Sequence, residues 1–105
     1  MIKIALSEAD IPFQENNIGV VEINDKKICI GRHNNQLFAF GQECPHAGVL
    51  LKDGWIDAKG NVVCPLHEYK FNLRTGRETF EGNYVMKHWT VIVKDEGIYL
   101  DAAFI

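Results

Sequence analysis

The sequence predicts an all-β fold. Short apolar segments rich in Val, Ile and Phe recur with turn-forming residues between them, at roughly the ten-residue spacing of strands in a β domain. No window carries a sustained apolar period of 3.6 residues, so helix is expected to be minor. The last third of the chain reads as two apolar runs around a Gly-containing turn, the pattern of a hairpin.

Taken in order, the first expected strand is Val20-Val21-Glu22-Ile23, which Asn24-Asp25 turns into Lys27 to Gly31. Asn34-Asn35 turns the chain again into Leu37-Phe38-Ala39-Phe40. Asn and Asp suit such turns because they tolerate left-handed backbone. Gly54-Trp55-Ile56, Val62-Val63-Cys64 and Phe71-Asn72-Leu73 follow, separated by turn signals at Lys59-Gly60 and Arg74-Thr75-Gly76. A strand from Val85 to Val93, a turn at Asp95-Glu96-Gly97 and a strand at Ile98-Tyr99-Leu100 complete the pattern. One short helical turn is expected near Ser7 to Asp10. The stretch from about residue 42 to residue 73 carries its own turns and is expected to form a small lobe inserted between strands of a base sheet.

The length of 105 residues fits one domain, here taken as residues 1–105. With 47% hydrophobic and 24% charged residues, the composition is that of an ordinary globular protein. A net charge of −3 has the wrong sign for nucleic-acid binding and would suit a partner with a basic face. No apolar run is long enough for a membrane span, and the start shows no signal-peptide pattern, so a cytoplasmic location is the expectation. The three cysteines fit that compartment better than a disulfide framework does. Cys29, inside Ile28-Cys29-Ile30, reads as a small buried hydrophobe.

The chemistry lies in Cys44-Pro45-His46 and Cys64-Pro65-Leu66-His67, with 17 residues between the two pairs. Thiolate and imidazole are strong ligands for iron and zinc. Zinc fingers group Cys with Cys and His with His, whereas these loops each supply one of both. Such a set suits a 2Fe–2S centre in which two cysteines hold one iron and two histidines the other. Cys44, His46, Cys64 and His67 are therefore the candidate cluster and metal ligands, and each loop would span the Fe–Fe axis. Pro45 and Pro65 stiffen the loops after each cysteine. Amides around Ala47, Gly48 and Tyr69 are candidate donors to cluster sulfur, and Gly48 leaves room for close approach.

These residues resemble the Rieske 2Fe–2S family. The likeness covers Leu37 to Phe40, Cys44-Pro-His-Ala-Gly48, Gly54-Trp-Ile56, Val62-Val-Cys-Pro-Leu-His67, Phe71-Asn-Leu-Arg-Thr-Gly76 and Asp95-Glu-Gly-Ile-Tyr99. It implies a β-sandwich-like base carrying a cluster-binding lobe and one Rieske cluster per chain. Members of respiratory and photosynthetic complexes carry a loop disulfide. Val49 and Leu66 stand at those places here. Tyr69 and Phe71 stand where such members place a serine and a tyrosine. Fewer hydroxyl donors imply a potential near the low end of the Rieske range, about −150 mV. Glu68 stands where many relatives have glycine.

The resemblance implies an electron carrier that accepts one electron from an NAD(P)H-dependent flavin reductase and passes it to a terminal, ring-hydroxylating type oxygenase. Only 38 residues follow His67, which leaves no space for a second catalytic domain. No substrate pocket and no oxygenation by this chain alone are expected. Two alternatives stand beside this reading: a small Rieske-like subunit of an NAD(P)H nitrite reductase, and a zinc-stabilised binding module. His33 and His88 lack a surrounding motif and read as structural or surface residues, and Trp55 and Trp89 as packing residues.

Overall fold

Two-residue turns at Asn24-Asp25 and Asn34-Asn35 organise the first half of the molecule. In the computed structural model, which describes residues 1–46 and 48–102, all four turn residues have positive φ, from 50° to 65°. That geometry matches the right-handed twist of flanking strands and joins them tightly. It links β2 (Ile18–Ile23), β3 (Lys26–His33) and β4 (Gln36–Gly41) into an antiparallel meander, with Ile23 opposite Lys26 and His33 opposite Gln36. Before them come β1 (Ile2–Ala5) and a 3-10 turn at Glu8–Asp10, inside the region expected to form one helical turn. The remaining strands are β5 (Trp55–Ile56), β6 (Asn61–Val63), β7 (Lys70–Asn72), β8 (His88–Trp89), β9 (Val91–Lys94) and β10 (Gly97–Leu100).

Three antiparallel sheets result, in the orders β2-β3-β4-β8, β1-β10-β9 and β5-β6-β7. The first lies in the middle. From one face Cys29 and Phe40 join a core with Ile18, Leu51, Val62, Phe71, Leu73 and Met86. From the other face Ile28, Ile30 and Ala39 join Ile98 and Leu100. Because both faces of β3 are covered, Ile28-Cys29-Ile30 is apolar at every position instead of alternating. Cys29 is fully buried, as expected, and burial pushes its thiol up to about 12.

The expected strand from Val85 to Val93 is instead two short strands in different sheets. β8 pairs with β4 and β9 with β10, and the chain crosses between the sheets at Thr90. One straight strand cannot hydrogen-bond into two packed sheets at once. The hairpin around Asp95-Glu96 is present, with Lys94 opposite Gly97. Strand β1 has no counterpart among the expected strands, and its partner β10 lies at the other end of the chain, with Ile2 opposite Leu100.

The β5-β6-β7 sheet lies between β4 and β8 in the chain and carries both Cys/His loops. Segment 77–85 pairs onto it through the bridge Phe71–Glu78 and continues as the bridge Arg77–Val85. The pairing therefore runs past Leu73. Trp55 is 42% exposed on this sheet, so it is not the packing residue that its size suggested, while Trp89 packs on the second core. Among the described residues, no helix is long and apolar enough to cross a membrane.

Candidate metal centre

Both ligand loops close in the same way. The Cys44 amide donates to the Val49 carbonyl at 2.8 Å, and the Cys64 amide donates to the Tyr69 carbonyl at 2.8 Å. In each, a cysteine amide binds the carbonyl five residues on, although histidine falls two positions after one cysteine and three after the other. In the first loop the turn is completed by Gly48, at φ +71°, whose amide donates to the Cys44 carbonyl at 2.8 Å. Gly48 is therefore needed for its left-handed backbone, since a Cβ there would meet nothing within 4 Å. Its amide is engaged by Cys44 and is not a free donor to sulfur. Ala47 lies outside the described residues. In the second loop His67 and Glu68 take the left-handed region, at φ 63° and 54°. Non-glycine residues adopt it at a cost, typically where a site requires it.

This backbone pairs the residues singled out in the sequence two by two, Cys44 with Cys64 and His46 with His67. Cys44 and Cys64 are 1% and 0% exposed and belong to the core that contains Phe71 and Leu73. The Cys44 thiol is near enough to act on the proton of the Cys64 thiol. Burial pushes the Cys64 thiol up to about 11, the Leu66 amide opposes that rise, and the Cys44 thiol adds to it. Metal binding must therefore displace a proton from sulfur, as is usual for thiolate sites.

The imidazoles lie nearer the surface. His46 is half-buried and His67 exposed, with ring centroids 5.8 Å apart and planes at 61°. His46 Nδ1 is buried and has no hydrogen-bond partner among the described residues. A buried, unpartnered imidazole nitrogen is costly unless something binds it. Tyr69 stacks on the His46 ring at 3.8 Å, and Tyr84 meets it edge-on at 5.4 Å and 74°.

The candidate donor set is thus two buried thiols and two imidazoles nearer the surface, which suits iron or zinc. Among the described residues, no three His, Cys, Asp or Glu side chains converge on one point. Two Cys/His loops that each supply two donors fit two metal atoms with two protein ligands apiece.

The two remaining histidines lie elsewhere. His33 sits against Gly60 at the end of β3. His88 Nδ1 is 3.3 Å from the Met86 carbonyl oxygen. Glu68 is exposed. Two clefts of similar volume, about 680 and 670 Å³, mark the surface. The first runs past Phe38, Arg74 and Trp89, away from the cysteines. The second is lined by His67, Tyr69, Glu78, Phe80 and Tyr84 and is the one that adjoins the site. Tyr84 and Glu78 belong to no motif, and only the return of segment 77–85 onto β7 brings them to the loops.

The fold and site define an iron–sulfur protein of the two-loop, mixed Cys/His type. The Rieske [2Fe-2S] domain model matches residues 2–82, and the chain belongs to that family. Its cofactor is a Rieske 2Fe–2S cluster, which the paired thiols and the unpartnered Nδ1 fit. The chain is 31% identical to the 3-phenylpropionate/cinnamic acid dioxygenase ferredoxin subunit of Photorhabdus laumondii, over 70% of each chain. Among solved structures it is similar to one in a complex of reduced oxygenase and oxidized ferredoxin in carbazole 1,9a-dioxygenase. The TM-score is 0.73, with 24% identity over 95% of this chain and 99% of that one. It is also similar to a protein assigned as the small subunit of a nitrite reductase NADPH, with TM-score 0.77 and 20% identity over 97% of this chain and 100% of that one.

Proposed function

We propose that Cys44 and Cys64 hold the inner iron and His46 and His67 the outer iron of one 2Fe–2S cluster, in a chain that works as a single Rieske domain. The chain is a one-electron carrier of the Rieske ferredoxin type, taking electrons from an NAD(P)H-dependent flavin reductase and delivering them to a terminal oxygenase. The observation that supports the ligand assignment is the matched closure of the two loops, each of which carries one buried cysteine and one histidine nearer the surface. The bound cluster supplies a one-electron iron couple. The protein's part is to bury the sulfur end, which keeps solvent away, and to present the histidine end. Exposed His67 is the proposed exit for the electron.

The oxygenase partner is supported by the dioxygenase ferredoxin relative and by the carbazole complex. A reductase is required because a carrier must be reloaded after each transfer. Iron analysis, dithionite titration and EPR of anaerobically purified protein test the reading. Two irons per chain and a Rieske-type signal, lost in Cys44→Ser and Cys64→Ser, are expected. Zinc in place of iron after reconstitution would remove it. The match to the nitrite reductase subunit favours a second reading, in which the same cluster serves inside a reductase complex. Reduction of an oxygenase by the purified carrier, against reduction of a sirohaem-type reductase, separates the two.

A further inference from the structure

We propose that Glu78 is a positioning residue for the metal centre: its carboxylate fixes the loop that seats Tyr84 against His46. The inference rests on the ligand assignment above. Glu78 is 5% exposed, and carrying an electron gives it no role. Its Oε1 accepts the amides of Glu81 at 3.1 Å and Gly82 at 3.2 Å, and its Oε2 accepts that of Phe80. Charge-assisted bonds of this kind are the stronger ones. The shielding comes from the loop itself, because few other atoms surround the carboxylate.

The same residue closes the loop through its backbone, its amide donating to the Tyr84 carbonyl at 3.0 Å. Arg77 Nη1 donates to the Gly82 carbonyl at 3.1 Å, and the Thr79 amide donates to the Lys70 carbonyl of β7 at 2.9 Å. The loop is thereby fastened to the strand that follows the second ligand loop. What it delivers is Tyr84, 5.4 Å from the His46 ring and 6.0 Å from the Tyr69 ring. His46 Nδ1 has no hydrogen bond among the described residues. With Nδ1 left for iron, the protein groups that bear on the orientation of the ring are its aromatic neighbours, Tyr69 stacked on it and Tyr84 at 74° to it. Loosening the loop removes one of these two constraints.

The test compares EPR spectra of the dithionite-reduced protein with those of E78Q, Y84A, Y84F and the double variant E78Q/Y84A. The E78Q change keeps the length of the side chain but leaves one acceptor oxygen instead of two. Broadened g-features are expected in E78Q and Y84A, because His46 then samples more orientations. Y84F, which keeps the ring, retains the narrow spectrum. The double variant is expected to be no broader than Y84A alone, since both changes act on one contact. In parallel, hydrogen exchange of the Phe80 to Gly82 amides is expected to be about tenfold faster or more in E78Q for each charge-assisted hydrogen bond lost.

A spectrum of E78Q identical to wild type, with those amides released, would overturn the proposal and leave Glu78 a loop stabiliser. Broadening that adds in the double variant would overturn it in favour of direct action by the charge. If E78Q does not fold, identical spectra of Y84A and Y84F overturn it. A wild-type protein with no Rieske signal removes the ligand assignment and this inference together, whereas the three preceding results remove the inference alone.

Discussion

Tyr69 lies flat on His46, with ring centroids 3.8 Å apart and planes 11° from parallel. The residue that closes the second loop through its carbonyl thus packs its ring on the candidate ligand of the first loop. The two loops are coupled by one side chain. An aromatic pair of this kind is worth about 0.5–1.5 kcal/mol beyond its buried area. Tyr69→Phe is expected to keep the stack and the holo-protein's stability. Tyr69→Ala is expected to lose about 1 kcal/mol or more and to release the cluster faster under chelator challenge. Equal chelation rates for the two variants would show that the stack does not hold His46.

Phe71 is fully buried in the core that contains Cys44 and Cys64. Phe71→Tyr would bring a hydroxyl into that core. If the hydroxyl donates to a cysteine sulfur, it stabilises the more negative reduced state and the potential rises. Voltammetry of the folded variant checks this. An unchanged potential would mean that the hydroxyl does not reach sulfur.

Asp57 holds the turn between β5 and β6 by accepting the Lys59 and Asn61 amides, each at 3.0 Å. Burial acts to raise its carboxyl pKa. The Asn61 and Lys59 hydrogen bonds and the Lys70 charge outweigh it and hold the carboxyl below the usual 3.8. A carboxylate depressed in the folded state stabilises fully above its unfolded pKa, and that stability is lost as pH falls through the lower, folded value. Asp57→Ala is expected to cost about 1–2 kcal/mol at pH 7 and little once the pH lies below both values. Urea unfolding at several pH values measures the difference. A pH-independent cost would contradict the assignment.

Cys29 is fully buried and its thiol is pushed up to about 12 by burial. Iodoacetamide at pH 8 is expected to leave it unmodified in the native protein and to label it after denaturation. Native labelling of Cys29, read by peptide mass spectrometry, would show an opening that the packing does not predict.

Gly54 packs so tightly that a Cβ would lie 1.9 Å from the Val63 carbonyl oxygen. Gly54→Ala is expected to cost about 3 kcal/mol or more by forcing β5 away from β6, visible as a lower melting temperature. A small change would show that the sheet yields at this point.

Much of the fold follows from local chemistry. Asn24-Asp25 and Asn34-Asn35 accept positive φ, so the β2-β3-β4 meander and its register were legible in the chain. The four candidate ligands were legible too, because thiolate and imidazole in alternating order serve few purposes other than binding metal. Neighbouring residues could not reveal that β1 pairs with β10, since that contact joins opposite ends of the chain. Nor could they show that the Val85–Val93 run breaks at Thr90, because the break is imposed by two sheets with different hydrogen-bonding directions. Trp55 shows that size alone does not place a residue in the core.

The candidate ligand types and their order were thus read from the sequence alone, through the intrinsic preferences of sulfur and nitrogen for metals. The surroundings of His46 were decided by tertiary structure. Tyr69 arrives from the other loop, and Tyr84 from a segment that pairs onto β7 through the bridge Phe71–Glu78 and the bond from the Thr79 amide to the Lys70 carbonyl. Such contacts depend on which surfaces meet once backbone hydrogen bonds and apolar burial have been satisfied, and no local pattern encodes that meeting.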